Sequence, residues 1–397
     1  MSAGGGGGSS FGAGYDEFNG RLLWQWFSVP PSGGDPEWDF KDAAKGNINP
    51  YPGDWGANDL IGGGSIFSLI AVDESTGIIY FPTGAPALSY DASIRPGPNL
   101  YANSVVALDA NTGEMIWYHQ TTPHDINGHE PTRSLILANA TVNGEERKVI
   151  LSSTKGDYAY VFDAATGELL HDPISFGAQK ISAYNTNQGN NADMNLSQNI
   201  LEGRDYCPGA FGGAASTSAF ADNTFFVASQ NYCSKFNVGQ VPYKDKMING
   251  FQIEPSLAGQ SSTVHAIDVS TGKIKWTFPM ESRYQGGVTV SGGVVYLVDL
   301  SGNFYALDSE TGDVLKQIPM NGAGNTGVTI ASDANGDMRL YIATGGSKTG
   351  IITALGLPDT LTTEDEGISR RGLIGSIALT SIVGLLYLAF LRFYKKK

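Results

Sequence analysis

Cysteine and basic residues are both scarce in this sequence. Its 397 residues include two cysteines, too few for a zinc-ribbon framework or a disulfide-dense miniprotein. Lys and Arg number 25 against 39 Asp and Glu, which gives a formal charge of −14 at pH 7. Six of the basic residues lie at or after residue 370, so the rest of the chain is more acidic still. Such a chain repels phosphate backbones, which argues against nucleic-acid binding.

Glycine and aromatic residues, by contrast, are abundant. There are 52 glycines, and aromatic residues make up 11% of the chain. This composition is typical of many short strands joined by turns and not of a helical bundle.

A short motif, Ala-x-Asp-x-x-Thr-Gly-x-x-x-Trp, recurs along the chain. An apolar strand ends at the Asp, whose carboxylate can accept hydrogen bonds from the turn, and Thr-Gly starts the next strand. We expect the Trp to pack against the neighbouring unit, and we place Leu170 near the Trp position of the copy that begins at Asp163. The five copies have their Asp at Asp16, Asp109, Asp163, Asp268 and Asp308.

The spacing of these copies indicates a unit of about 40 to 50 residues, sometimes lengthened by an insertion. Such a unit in an all-β composition predicts a β-propeller over residues 1–357. A β-sandwich would not repeat one hairpin five times. The stretches 30–64 and 176–204 are rich in polar residues and glycine and are expected to be long loops on the propeller.

The C-terminus carries the one long apolar run. Residues 372–391 contain no charge, and as a helix they would cross the hydrocarbon core of a bilayer. A buried core helix is the alternative. More positive charge follows the run than precedes it, which favours a cytoplasmic tail at 392–397 and a body outside the cytoplasm. Residues 358–371 then form a polar, acidic linker.

The two cysteines, Cys207 and Cys233, agree with that compartment. Outside the cytoplasm we expect them to form a disulfide, the alternative being two buried free thiols. The first residues, Met-Ser-Ala followed by five glycines, do not form a signal peptide. The chain then either starts late or is exported by another route.

Several longer strings resemble the quinoprotein alcohol and methanol dehydrogenases. They occur in that family's order from residue 11 to residue 350: Gly62–Phe67, Ile94–Tyr101, Thr122–Asp125, Asp205–Gly209 and Gln285–Gly287. The resemblance implies an eight-bladed propeller that binds pyrroloquinoline quinone (PQQ) with Ca²⁺ or a lanthanide. Because five units are recognisable, we expect missing N-terminal blades, a smaller ring, or completion by another chain.

Three positions keep residue types that suit PQQ in this family. Ser65 and Phe67 match a Thr and a Trp, and Phe67 retains an aromatic face for stacking on the quinone. Lys155 matches a Lys or Arg that contacts the quinone oxygens, a surface lysine being the alternative reading.

Other positions have lost the family's residues. Ala85 replaces an Asn that binds the metal, and Gly128 replaces the aspartate that acts as catalytic base. A slip of one or two residues would bring Glu130 into that role. The resemblance therefore implies no retained catalytic residue, doubtful Ca²⁺ or lanthanide binding, and a residual PQQ site.

A second candidate site lies in the same segment. His119, His124, His129 and Glu130 fall within twelve positions, and imidazole with carboxylate is a plausible donor set for copper or zinc. Polar loop residues at the propeller mouth are the alternative.

Two functions follow from these patterns. The first is a membrane-anchored propeller with an eroded PQQ site, acting as a binding or assembly module that docks a protein partner in a membrane or envelope complex. The second is a PQQ-dependent alcohol dehydrogenase with an altered site that passes electrons to a membrane carrier.

Overall fold

The computed structural model describes residues 10–29, 54–56, 62–66, 70–87, 92, 95–177, 205–209, 212–243, 246–255, 260–346, 350–356 and 389–391. Every regular element within these ranges is a β-strand. They divide into two compact units, one of Met1–Ala215, Asn231–Gly259 and Ser270–Gly272, the other of Ser216–Gln230, Gln260–Val269 and Lys273–Lys397.

The first ten strands form a hairpin and two four-stranded antiparallel sheets. The bounds are β1 Phe11–Tyr15, β2 Leu22–Phe27, β3 Ala71–Asp73, β4 Ile78–Pro82, β5 Ser104–Asp109, β6 Met115–Gln120, β7 Pro131–Val142, β8 Glu145–Thr154, β9 Tyr158–Asp163 and β10 Ile174–Ser175. The hairpin is β1–β2, and the sheets run β3-β4-β5-β6 and β10-β9-β8-β7.

The next seven strands form a four-stranded sheet and a separate sheet built on a long hairpin, which lies between the second and third strands of the first sheet in the sequence. The bounds are β11 Asp205–Tyr206, β12 Ala219–Ala221, β13 Thr224–Asn231, β14 Ser234–Tyr243, β15 Lys246–Pro255, β16 Ser261–Asp268 and β17 Lys273–Met280. The sheet runs β12-β13-β16-β17, while β14 and β15 pair with each other and β11 joins β14.

The last nine strands form two further sheets. The bounds are β18 Thr289–Ser291, β19 Val294–Val298, β20 Asn303–Asp308, β21 Val314–Pro319, β22 Ala323–Gly324, β23 Thr329–Ser332, β24 Met338–Gly345, β25 Gly350–Leu355 and β26 Ala389–Leu391. The first runs β18-β19-β20-β21; in the second, β24 pairs with β22, β23 and β25, and β26 pairs with β25.

The core lies between successive sheets. In the first unit, Tyr80 and Val105 of one sheet and Ile150 and Phe162 of the next are buried in one cluster. In the second unit an equivalent cluster joins β13 and β16 to β19 and β20. The sheets β3–β6 and β18–β21 contribute to a buried cluster on each of their two faces, which explains the near-continuous apolar runs of β5 and β19.

The repeated Trp packs against the turn of the neighbouring sheet, as the motif predicts. Trp117 Nε1 donates to Ala164 O at 2.9 Å, and its ring lies against Gly167. Trp24 makes the same contact with Ala110 O at 2.9 Å, and Trp276 with Ser309 O at 3.0 Å. The turn glycines that meet the three indoles are Gly113, Gly167 and Gly312. Each has positive φ, and a Cβ added to it would overlap the indole.

Leu170, which we place near the Trp position, lies one residue before it, and another side chain occupies the position itself. The residue four after Gly167 is His171, and its ring lies against Gly272 just as an indole does in the other copies. The Leu170 N–H instead donates to Val161 O at 2.9 Å, so this residue continues the sheet.

The motif Asp closes its turn, as predicted. Asp109 Oδ1 accepts from the N–H of Asn111 at 2.8 Å and of Thr112 at 2.9 Å, and the turns after Asp16, Asp163 and Asp308 are built alike. A further copy at Asp73 was missed, because it joins the first two strands of a sheet and carries no Trp.

Asp73 also makes an ion pair, with a measurable consequence for pH dependence. Lys148 Nζ lies 2.7 Å from Asp73 Oδ2 and holds the pKa of this carboxyl far below its usual range. A lowered folded-state pKa stabilises the protein above the unfolded pKa of about 4, and this is lost as pH falls further. We expect Asp73→Asn to lower the free energy of unfolding by about 2 kcal/mol at pH 7 and by less at pH 3, where the carboxyl is largely protonated in the unfolded chain but not in the folded one, measured by urea titration.

Asp109→Asn is the matched control for that experiment. Asp109 closes the same kind of turn, with hydrogen bonds from Asn111 and Thr112 to Oδ1. Its pKa is lowered by those main-chain N–H groups and by no lysine. A deficit of Asp73→Asn that stayed constant from pH 7 to pH 3 would remove the ion pair from the account.

The C-terminal predictions fall largely outside the described residues. These are the linker 358–371, the tail 392–397 and most of the span 372–391. The last three residues of that span form β26 and not a helix, since the open edge of β25 offers unpaired main-chain groups. The described part of the chain contains no helix long and apolar enough to cross a bilayer.

Candidate functional site

Lys155 and Glu130 form a buried ion pair at one end of the β7–β8 hairpin. Glu130 immediately precedes β7 and Lys155 immediately follows β8, and the antiparallel register places Pro131 opposite Thr154. Lys155 N donates to Glu130 O at 3.1 Å, and Lys155 Nζ lies 3.2 Å from Glu130 Oε1. Both side chains are 15% exposed. Local pairing of two strands thus joins side chains that lie far apart in the sequence.

The carboxylate of Glu130 is only partly satisfied by this pair. Its Oε2 atom is buried and has no hydrogen-bond partner among the described residues. Burial raises the pKa of Glu130, the positive charge of Lys155 opposes that rise, and the charge of Asp125 adds to it. The site therefore holds a carboxylate with a raised pKa and one oxygen open to a donor.

Asp125 organises the loop that leads to Glu130. Its Oδ1 accepts from the N–H of Asn127 at 2.8 Å and of Gly128 at 3.1 Å. Its Oδ2 accepts from His129 N at 2.9 Å and from Asn103 Nδ2 at 2.7 Å. Both oxygens are thus used within the protein.

Gly128 lies inside this turn with φ near +72°, a conformation that favours glycine. The position at which the resemblance expects a catalytic aspartate is therefore part of a tight loop. Glu130 is the acidic side chain that this loop presents to Lys155.

The three histidines of the predicted metal cluster make separate contacts. His124 Nδ1 lies 2.8 Å from Gly97 O, and His129 Nε2 lies 3.3 Å from Pro208 O. His119 packs against the rings of Tyr160 and Phe162, and burial lowers its pKa to about 4. Within the described ranges, no three His, Cys, Asp or Glu side chains are grouped so as to hold a metal ion.

The buried guanidinium of Arg95, to which the sequence assigned no role, donates a hydrogen bond to the loop that contains Asp125. Arg95 is 1% exposed, and its two terminal nitrogens donate to Asn99 Oδ1 and Asp125 O, both at 2.6 Å. Asp54 Oδ2 accepts from Leu100 N at 2.7 Å in the same region. The Ile94–Tyr101 string was the available signal, but it does not say that Arg95 points inward.

The Gly-Gly-Gly-Ser string lies beside the string that contains Ala85. Gly64 N donates to Ala85 O at 2.9 Å, and Gly84 N donates to Ser65 O at 2.8 Å. Two positions that the resemblance assigns to the quinone and the metal, Ser65 and Ala85, are thus on adjacent segments. Phe67 lies outside the described residues.

Cys207 and Cys233 form the predicted disulfide, with their Cα atoms 4.4 Å apart. Beside it, Gly209 N donates to Tyr232 O at 2.6 Å. The Asp205–Gly209 string is therefore fastened to the segment between β13 and β14.

Comparison with protein families and known proteins agrees with these features. Residues 7–175 match the family model for the glucose/ethanol/alcohol dehydrogenase β-propeller domain, and residues 178–356 match the model for outer membrane protein assembly factor BamB. The putative dehydrogenase XoxF of Paracoccus denitrificans is 29% identical over 65% of this chain and 46% of its own length. The lanthanide-dependent methanol dehydrogenase of Methylorubrum extorquens is 26% identical over 94% of this chain and 65% of its own length.

Solved structures show the fold. The quinohemoprotein alcohol dehydrogenase of Comamonas testosteroni superposes with a TM-score of 0.72 at 23% identity, over 87% of this chain and 54% of that one. The enzyme ADHIIG of Pseudomonas putida gives 0.71 at 22% identity, over 88% of this chain and 54% of that one. The fold is an all-β propeller, as the repeats predict. The chain spans less than two thirds of the length of each of these relatives.

Proposed function

The chain belongs to the PQQ-dependent alcohol and methanol dehydrogenase family of propellers, and we propose that it carries an altered quinone site centred on Lys155 and Glu130. The observation that carries the proposal is the pair itself. Lys155 matches the family's quinone-contacting residue, and the carboxylate within 3.2 Å of it belongs to Glu130. The reaction proposed for this site is oxidation of an alcohol, with electrons passed to a membrane carrier.

The described residues fit PQQ better than they fit its metal. Bound PQQ supplies an electrophilic quinone that accepts a hydride from an alcohol. The Lys155 ammonium suits the quinone oxygens and carboxylates, and Glu130 Oε2, which is buried and has no hydrogen-bond partner among the described residues, would accept a proton from the hydroxyl of an alcohol bound in the site. The metal donors are not matched, because Ala85 stands at the family's Asn and the nearby histidines make separate contacts. We derive no step through a metal.

The raised pKa of Glu130 makes its carboxylate a stronger proton acceptor than an ordinary exposed carboxylate. General bases are most effective when their pKa lies close to the pH of the reaction. Burial raises the pKa of Glu130, and Lys155 keeps the ionised form accessible by lowering it again. Removing the carboxylate while keeping the shape should therefore remove proton transfer but not quinone binding.

Glu130→Gln tests this role in the full chain. With PQQ and either Ca²⁺ or La³⁺ supplied, we expect the variant to reduce an artificial acceptor dye with a primary alcohol about 10²- to 10⁴-fold more slowly than the wild type. Glu145→Gln is the control, since Glu145 is exposed and pairs with Arg147 on the surface. A Glu130→Gln variant as fast as an active wild type contradicts the role. A wild type that binds the quinone but shows no alcohol-dependent turnover contradicts the proposal that the protein is an alcohol dehydrogenase.

A second function is favoured by the residues that the family site has lost. Ala85 and Gly128 stand where the family binds metal and holds its base, and the model matched by residues 178–356 is described as an assembly factor. These features support a membrane-anchored binding module whose partner is a protein of a membrane or envelope complex. In both functions we propose that the apolar run 372–391 anchors an extracytoplasmic propeller, with residues 392–397 in the cytoplasm; in the membrane-inserted chain residues 389–391 then leave their pairing with β25.

Membrane fractionation tests the anchor and its orientation. We expect the full chain to resist alkaline extraction, an external protease to remove the propeller, and an epitope after residue 397 to stay protected in sealed cells. Release of the chain by alkaline carbonate would contradict the anchor. Purification of a stable complex that survives Glu130→Gln, from a chain without dehydrogenase activity, would select the binding module.

A further inference from the structure

The segment that contains Cys207 lies directly on the main chain of Lys155. Gly213 has φ near +72°, and a Cβ at this position would overlap the carbonyl group of Lys155. The contact is therefore one of backbone against backbone, and glycine is required both by conformation and by space. Ala215 N donates to Gly213 O at 2.9 Å and closes the turn.

The same segment contacts the residue next to Glu130. His129 is 2% exposed, and its Nε2 atom lies 3.3 Å from Pro208 O, a distance that fits a ring protonated on Nε2. His129 N is held by Asp125, and Glu130 follows directly in the chain. One segment thus contacts both the main chain of Lys155 and the side chain of the residue that precedes Glu130.

The Cys207–Cys233 disulfide fastens this segment. Gly209 N donates to Tyr232 O at 2.6 Å, and a Cβ at Gly212 would also meet Tyr232 O. A Cβ at Gly209 would overlap Ser234. The segment is therefore packed against the residues on either side of Cys233, and the covalent bond closes that contact.

We propose that the disulfide is a positioning element for the Lys155–Glu130 pair. It holds Pro208 in contact with His129 and Gly213 in contact with the main chain of Lys155, and so keeps the lysine ammonium beside the carboxylate. A dithiol reductant breaks the S–S bond, each sulfur takes one electron and one proton to become a thiol, and the dithiol is oxidised to its own disulfide. The segment then loosens and Lys155 becomes accessible.

The consequence for quinone binding rests on the proposed function, but the position of Lys155 can be measured without a quinone. The full chain is treated with an amine-reactive ester before and after reduction by dithiothreitol, and labelling at each lysine is followed by mass spectrometry. We expect reduction to speed labelling of Lys155 about tenfold by opening this region locally. Lys148 is the internal control, since it is 37% exposed and paired with Asp73, and its labelling should not change.

A glycine variant separates positioning from loss of the cross-link. Gly213→Ala leaves both cysteines bonded but displaces the main chain of Lys155, so it should also speed labelling of Lys155. Gly144→Ala is the matched control, because Gly144 has φ near +84° and no atom within 4 Å of an added Cβ. Its Lys155 should label like that of the wild type.

Two results would overturn the proposal. One is full reduction of both cysteines, shown by thiol alkylation, with unchanged labelling of Lys155. The other is equal labelling of Lys155 in Gly213→Ala and Gly144→Ala. If labelling responds as expected but the oxidised protein retains no PQQ, the proposed function fails and the positioning role stands.

Discussion

Replacing Trp117 with alanine is expected to lower the free energy of unfolding by about 3–5 kcal/mol. The indole is 7% exposed and lies 5.9 Å from the ring of Tyr80 and 5.8 Å from that of Phe162. Its Nε1 donates to Ala164 O, so truncation leaves a cavity and an unpaired carbonyl. Urea unfolding of the full chain, followed by circular dichroism, measures the loss.

Two controls show that the loss comes from the packed indole. Ile116 is the preceding residue and is 44% exposed, so Ile116→Ala should change stability by less than about 0.5 kcal/mol. Gly167→Ala should be strongly destabilising because a Cβ would overlap the Trp117 ring, whereas Gly20→Ala, at φ near +70° with no atom within 4 Å, carries only the conformational cost. A Trp117→Ala variant no less stable than Ile116→Ala would contradict this account of the repeat.

Replacing Lys155 with methionine is expected to destabilise the protein by about 2–3 kcal/mol at pH 7, because it leaves a buried carboxylate without its cation. Burial raises the pKa of Glu130 and Lys155 opposes the rise, so the pKa rises further in the variant. A raised pKa means that the neutral acid fits the fold better. Its contribution to stability is complete below the unfolded pKa of about 4.3 and is lost as pH rises through the folded pKa. The deficit should therefore shrink as pH falls from 7 towards 4.

The double variant Lys155→Met/Glu130→Gln is the control for charge. With no carboxylate to leave unpaired, it should recover most of the stability that Lys155→Met loses at pH 7. A deficit of Lys155→Met that is the same at pH 4 and pH 7, and that is not relieved by Glu130→Gln, would contradict a buried ion pair between Lys155 and Glu130.

The repeat and the disulfide were predictable because their signals are local or exclusive. Asp, Gly and Trp at a fixed spacing specify one turn and one contact, and the chain has just two cysteines to pair. The fourth position after Gly167 shows how narrowly that spacing acts, since it is His171 and not the apolar Leu170 that meets the next turn.

The site could be predicted only as a set of residue types. Glu130 and Lys155 meet because one precedes the first strand and the other follows the second strand of the same hairpin, a relation that depends on the register of β7 and β8. The spacing of the histidines suggested a metal cluster, but His124 and His129 turn to different carbonyl oxygens. Strand register decided the first outcome and hydrogen bonds to neighbouring loops decided the second, and no short motif encodes either.

Retention of PQQ by the full chain tests most directly whether Lys155 and Glu130 form a quinone site. The protein, purified in mild detergent with Cys207 bonded to Cys233, is mixed with PQQ and either Ca²⁺ or La³⁺ and passed over a gel-filtration column, and the quinone absorbance that co-elutes is measured. We expect stoichiometric retention by the wild type and by Lys148→Ala, and its loss in Lys155→Ala. A folded wild type that retains no PQQ, or a Lys155→Ala variant that retains as much as the wild type, would contradict the account.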